Sequence, residues 1–360
     1  MIMDEDDVLN GVLKVPVRTT IGSYWGRNRT LRYADMFCGI GGFHSAADAL
    51  NMECVFACDI DEDVRKIYQA NYGIYPMGDI CQVDAATIPD HDILFAGFPC
   101  QPFSIIGSGA GFADARGTLF FELARIIEAK MPPAFILENV KQLATHNKGK
   151  TISRILQILR ELGYTVDFRI LNALNFGLPH KRERILIVGF RDYIEKFDWP
   201  NREIPMIPLS EILEEDPDPS TFVSDRIKRA RKAAHTSKIK PAIWHENKSG
   251  NISSHPFSCA LRAGASYNYL LVDGERRLTP REMLRLQGFP DSFKIVGSDA
   301  SIRKQAGNSV PVPMVKSILE RVLHAERAEA TRPTNKFIPD TGLRRASFAK
   351  KVGAKKKGIL

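Results

Sequence analysis

The chemistry-bearing residue that stands out in this chain is Cys100, set in Gly97-Phe-Pro-Cys-Gln-Pro-Phe-Ser104. The apolar run Ile93–Ala96 predicts a strand that ends in a rigid loop presenting one sulfur. Proline fixes φ and disfavours helix in the residue before it, so Pro99 and Pro102 leave the loop little freedom. A thiol held in this way suits nucleophilic attack. A lone cysteine is more often an inert core residue. Its company argues otherwise: a glycine-rich loop after an early strand, Glu138-Asn139-Val140 at a later strand end, and the arginines Arg182 and Arg184 at the start of another.

Around these residues the chain reads as α/β. Strands are predicted at 31–37, 53–58, 93–96, 134–137, 165–171 and 184–190. Helices are predicted at 43–50, 61–71, 118–130 and 151–162. Short strands alternating with helices predict an α/β, mostly parallel sheet covered on both faces, with ligands beyond the carboxyl ends of the strands. The glycines of Cys38-Gly39-Ile40-Gly41-Gly42 fall where the backbone must turn and approach a ligand. His44 stands where a dinucleotide fingerprint would have its third glycine. Asp59, after the second strand, suits the two hydroxyls of a ribose, while Asp61 is the better helix cap. Asp79 is either a turn residue or an acceptor for an adenine amino group. The three together suggest an adenosine-containing ligand.

After residue 191 the texture changes to prolines, a basic segment at 226–232 and a stretch rich in Ser, Gly and Asn. This predicts a smaller, loop-rich domain at 191–304, with a helix capped by Thr279 and Pro280. The catalytic domain would comprise 31–190 and 305–325, with a last helix at 312–324. Residues 1–30 form a lead-in and 326–360 a basic tail.

The formal charge of +8 is unevenly placed: of 50 basic and 42 acidic residues, nine and one lie in 332–360, so the remainder is neutral. Any polyanion-binding face in the body must therefore come from segregated charge. The tail either attracts phosphates without sequence preference or is simply solvated. No apolar run is long enough to span a bilayer, and the start lacks a signal peptide's pattern. Six cysteines without a CxxC pair or zinc spacing predict free thiols, a reducing compartment and no metal.

The ordered blocks Asp35–Phe43, Asp59, Gly78-Asp79-Ile80, Gly97–Ser104, Arg116–Leu119, Glu138–Val140, His180–Arg184, Arg277–Pro290 and Gln305–Val310 resemble the cytosine-C5 DNA methyltransferases of bacterial restriction–modification systems. The resemblance covers residues 31 to 325. It implies a Rossmann-like, doubly wound catalytic domain, S-adenosylmethionine as cofactor and a smaller, loop-rich target-recognition domain. It also implies double-stranded DNA as partner, with neither metal nor membrane, and a monomer in the bacterial cytoplasm at the nucleoid. By the same resemblance Cys100 is the nucleophile, Glu138 the acid and Arg184 the contact to the cytosine oxygen, with Arg182 helping through the backbone or Glu138. Phe37, Gly39, Gly41, Gly42, Asp59, Ile60, Asp79, Ile80, Pro99, Leu119, Asn308 and Ser309 are the cofactor positions. Gln101, Ser104, Arg262, Tyr267 and Asn268, with Tyr269, are the DNA-contacting candidates. Arg and Asn side chains can pair bidentately with purine edges.

Two departures matter. The ribose acid is commonly Glu in the family and is Asp59 here. The arginine block commonly opens with Gln and here opens with His180, which either tunes the site or fills a surface position. Two rival functions remain at this level, an RNA (tRNA) cytosine-5 methyltransferase and a catalytically silent DNA-binding regulator. The long variable region favours DNA, and the intact Cys100, Glu138 and Arg184 favour catalysis.

Overall fold

A computed structural model describes residues 20–23, 25, 29–99, 119–194, 196–201 and 204–328. Cys100, Gln101 and Ser104, most of the lead-in and the basic tail lie outside the described residues. The chain divides into two compact units, 22–327 and a second made of 1–21 with 328–360. The first unit holds the central sheet and the helices that cover it.

That sheet has six strands. They are β1 (Arg32–Met36), β2 (Glu53–Cys58), β3 (Ile93–Gly97), β4 (Ala134–Val140), β5 (Thr165–Asn172) and, after the short β6 (His180–Lys181), β7 (Glu183–Phe190). The spatial order is β2-β1-β3-β4-β7-β5. β1 pairs in parallel with β2 and β3, and β3 with β4. β7 runs antiparallel between β4 and β5. The mostly parallel α/β architecture predicted from the sequence is therefore present, with one reversed strand.

Alternation along the strands sends side chains to two buried faces. Tyr33, Phe95, Ile136, Leu186 and Val188 pack on one side, with α1 (Gly42–Asp48) and α8 (Val312–Leu323). Ala34, Met36, Leu94, Phe135, Leu137 and Ile187 pack on the other, with α3 (Leu119–Lys130) and α4 (Lys150–Glu161). The last helix thus returns to the sheet beside α1. α2 (Glu62–Tyr72) is capped by Asp61, which accepts from the amides of Asp63 and Val64. Gly73, at φ 72°, ends it.

Register sets the working edge. Met36 lies opposite Cys58 and Ala96, and Gly97 opposite Glu138. Phe37, Asp59, Phe98 and Glu138 therefore emerge together at the carboxyl edge. Because β7 is reversed, its start meets that edge, and Arg184 pairs with Val140.

Residues 204–308 add α5 (Asp225–Ala234) and a three-stranded antiparallel sheet, β9-β8-β11, made of β8 (Ile243–Glu246), β9 (Ile252–His255) and β11 (Leu270–Val272). β10 (Ser258–Cys259) pairs with β6. α6 (Pro280–Leu286) opens with a full capping box between Thr279 and Glu282. α7 (Asp299–Asn308) follows. Leu209, Ile243, Leu261, Leu270, Leu278 and Leu286 belong to a core of their own, which reaches Ala306 on α7.

Candidate active site

A cleft of about 510 Å³ opens at the carboxyl edge of the sheet. That is within the roughly 300–1,000 Å³ typical of small-molecule sites. One wall is the β1–α1 turn, with Phe37 and Gly39. Phe37 sits at φ 56°, uncommon and strained for a bulky side chain. Strain of this kind persists where surrounding contacts enforce it, often at functional sites. Here the amide of Cys38 donates to the carbonyl of Cys58 at 3.0 Å, tying the turn to β2.

The second wall is the β2–α2 turn. Asp59 Oδ2 accepts from the Gly39 amide at 2.9 Å, and its Oδ1 from the Asp61 amide at 2.9 Å. Burial pushes the Asp59 carboxyl up from the usual range, and those two amides oppose the shift. Each oxygen retains a lone pair for a ligand hydroxyl. Ile60, 72% exposed, adds an apolar wall to the cleft. Asp79 and Ile80 follow, and Asp79 also accepts from the Cys81 amide at 2.9 Å. Asp79 is thus a turn acceptor that also lines the cleft. Leu119 lines the cleft as well. A Cβ on Gly39 would meet nothing within 4 Å. Carboxylates, apolar walls and a side-chain-free turn together fit an adenosine-bearing cofactor.

At the other end stand Pro99, Glu138 and Arg184. Arg184 Nε lies 2.7 Å from Glu138 Oε1, with side chains 12% and 9% exposed. Burial raises the Glu138 carboxyl, and the Arg184 and Arg182 guanidinium groups oppose the rise. Cys100 is bonded directly to Pro99 in the cleft wall, but lies outside the described residues.

Several residues from the sequence reading sit elsewhere. Arg182 is fully buried and does not line the cleft. Its guanidinium donates to the carbonyls of Leu261 (3.3 Å), Gly307 (2.9 Å) and Ser309 (2.5 Å). It acts on the backbone as a positioning residue. His180 does not fill a surface position: it is fully buried. Its Nδ1 lies 3.0 Å from the Leu286 carbonyl, and Nε2 accepts from the Leu261 amide. That pattern assigns the neutral Nδ1–H tautomer, in keeping with burial and Arg182, which hold its pKa well below the usual value. A Cβ on Gly41 would strike the Tyr72 ring at 2.2 Å, and one on Gly42 the Val310 side chain at 2.6 Å. These two glycines therefore serve close packing under the turn. Ser309 is buried and offers its carbonyl to Arg182.

Arg262, Tyr267 and Tyr269 line a second, smaller pocket. Asn268 is beside it, its amide oxygen accepting from Arg277 Nε at 2.9 Å. Sequence reasoning missed Asp61, Lys304 and Gln305 in the cofactor-side cleft. Lys304 Nζ and Gln305 Nε2 reach Asp61 Oδ2 at 2.8 and 3.2 Å, joining α7 to the cap of α2. The signal available was the placement of Lys304 and Gln305 just ahead of Asn308.

The profile of the C-5 cytosine-specific DNA methylases matches residues 31–324. A type II methyltransferase, M.NgoBI of Neisseria gonorrhoeae, is 55% identical over 286 residues, covering 79% of this chain and 90% of that protein. Type II methyltransferase M.HaeII of Haemophilus aegyptius is 51% identical, covering 81% and 92%. Among solved structures, the S. pombe Dnmt2 methyltransferase superposes with a TM-score of 0.63 at 23% identity, covering 81% of this chain and 98% of that one. That last likeness concerns the fold. The chain belongs to the C-5 cytosine-specific DNA methylases and is an enzyme of that class.

Proposed function

We propose that this enzyme methylates C5 of a cytosine extruded from double-stranded DNA, through a transient bond between Cys100 and cytosine C6. We further read it as the modification half of a bacterial restriction–modification pair, acting in the cytoplasm, with 191–304 as its target-reading region. The observation that carries the chemistry is the buried Glu138–Arg184 pair, in one cleft with Pro99 and the Asp59 turn.

C5 of cytosine is a weak nucleophile. Addition of the Cys100 thiolate at C6 breaks the C5–C6 double bond and moves electron density to C5 and N3. Glu138, whose carboxyl burial raises, donates a proton to N3 as charge develops there. Arg184, anchored by Glu138, offers its remaining donors to the ring oxygen. Phe37, Asp59, Ile60, Asp79 and Ile80 would hold S-adenosylmethionine, which supplies an electrophilic methyl group when bound. After transfer, water takes the C5 proton, the Cys100–C6 bond breaks, and Glu138 regains its proton from N3. A stacked base hides C6, so the nucleotide must leave the duplex at a cost of a few kcal/mol.

The test is trapping. Duplex DNA carrying 5-fluorocytosine cannot lose a proton from C5, so a covalent adduct should accumulate with cofactor present and map to Cys100. Cys100→Ser should form none while still binding S-adenosylhomocysteine. An adduct on another residue, or transfer to tRNA in preference to DNA, would sink the proposal.

A further inference from the structure

We propose that Arg262, Arg277 and Arg303 form a seat for one backbone phosphate of the bound duplex, separate from any base-reading contact. The seat rests on DNA being the substrate, as proposed for the enzyme, and specifies how the second pocket is used.

The three guanidinium groups gather on two neighbouring tyrosines. Arg303 stands 4.2 Å and Arg277 5.9 Å from the centre of the Tyr267 ring. Arg262 stands 4.7 Å and Arg303 5.8 Å from that of Tyr269. All three line one pocket of about 100 Å³, together with the Tyr267 and Tyr269 rings and Asp299. Among the described residues none of the three makes an ion pair, although Arg276 and Arg231 close by do. The tyrosine faces offset part of the mutual repulsion of three cations. Asp299 offsets more. The positive field that remains is matched by an anion.

Hydrogen bonding fixes the arginines without exhausting them. Arg303 donates through one terminal nitrogen to the carbonyls of Ala265 and Ser266, at 2.9 and 2.7 Å. Arg277 donates to Asn268 Oδ1 and, at 3.4 Å, to the Ser220 carbonyl. The Arg262 guanidinium meets the Tyr269 hydroxyl, which also accepts from the Arg262 backbone amide at 2.9 Å. Each guanidinium has five donors, so each keeps some free. Planar donors on aromatic rings, with loop carbonyls holding their backs, suit tetrahedral phosphate oxygens. Tyr267 is 55% exposed, so the seat is open to a large ligand. The body of the chain has no net charge, which makes this local concentration the more telling.

Phosphate contacts position a protein on DNA, whereas base contacts specify sequence. The experiment exploits that difference with Arg262→Gln and Arg303→Gln in the full-length enzyme. Glutamine at either position keeps an amide donor while removing the guanidinium charge. Affinity is measured against salt for a methylatable duplex and for a scrambled one. A phosphate seat predicts equal loss on both duplexes, and a log–log slope shallower by about 0.9 per lost contact. Scanning single methylphosphonate substitutions should reveal one position whose affinity loss vanishes in Arg262→Gln. S-adenosylhomocysteine binding should be unchanged. A wild-type salt slope in both variants, or a loss confined to the methylatable duplex, overturns the seat. Wild-type methyl transfer to DNA is read separately, so a failure of the parent function is distinguishable from a failure of this pocket.

Discussion

Arg182 and Arg184 are two residues apart, and the structure predicts opposite consequences for losing them. Arg182 is fully buried on three carbonyls, two of them at 2.9 and 2.5 Å. Arg182→Met leaves at least those two carbonyls without partners. An unsatisfied buried group costs roughly 1–3 kcal/mol, and hydrogen bonds from a charged donor contribute about 1.5–3 kcal/mol each. Methionine escapes the guanidinium's desolvation cost, which offsets part of that. A net loss of roughly 3–5 kcal/mol is expected, a large share of the ~5–15 kcal/mol that holds a domain folded. Arg182→Lys keeps the charge but only one nitrogen, and should lose about half as much. Arg184→Lys should cost under ~1 kcal/mol, since a cation still faces Glu138, yet it should slow turnover by roughly 10²-fold through loss of the guanidinium donors not used on Glu138. Urea unfolding midpoints and single-turnover methyl transfer, measured on the same preparations, separate the two effects. If Arg182→Met unfolds at the wild-type urea concentration while its turnover collapses, Arg182 acts at the reacting atoms and its assignment as a backbone clamp is wrong.

Glu138→Gln keeps an acceptor for Arg184 but has no proton to give, so single-turnover rates should fall by roughly 10²-fold or more with little change in DNA affinity. Burial raises the Glu138 carboxyl, so wild-type activity should decline as pH climbs through that raised value, and the Gln variant should lack this limb. The folded state binds this proton more tightly than the unfolded chain. Its contribution to stability is therefore full below the unfolded pKa and is lost as pH rises through the folded one. Relative to Glu138→Gln, the wild-type protein should be comparatively more stable at pH 5 than at pH 8; the reverse order would show a lowered carboxyl. Gly39→Ala and Gly41→Ala should diverge, although both carry positive φ (54° and 86°). The first meets open space and should cost about 1–2 kcal/mol of folding while weakening S-adenosylhomocysteine binding. The second strikes Tyr72 and should cost a further ~1–3 kcal/mol. Equal melting points for the two variants would refute this division of labour.

The sheet was legible because its strands are short apolar runs between turn signals, and the parallel order followed from the helices between them. What escaped was the reversal of β7, since a strand's direction leaves no mark in its own composition. The site residues were legible as types and order, but their division into cleft and support was not. Arg182 and Arg184 look alike in sequence. Their fates depend on carbonyls 79, 125 and 127 residues beyond Arg182, and on Arg182 lying just before β7 while Arg184 lies within it. The basic segment at 226–232 gave no helical signal because α5 has little apolar face. Buried Arg231 ties it down instead, through Glu246 and the Asn268 carbonyl.

α7 is the most consequential element the sequence concealed. Its apolar content is slight, with Ile302 and Ala306 buried, and the cap that Ser298 provides to Ser301 was its only strong local mark. Yet its last six residues serve both pockets. Arg303 holds the carbonyls of Ala265 and Ser266, while Lys304 and Asn308 line the cofactor-side cleft. Gly307 makes this possible: a Cβ there would stand 2.8 Å from the Ala263 amide nitrogen. The 262–266 segment is thus packed directly on the helix that walls the larger cleft, and Arg182 clamps Leu261, Gly307 and Ser309 together beneath them. A displacement of the 262–266 backbone by DNA must then be accommodated by α7 or by that clamp. By linkage, any effect of DNA on cofactor affinity through this route is matched by an equal effect of cofactor on DNA affinity.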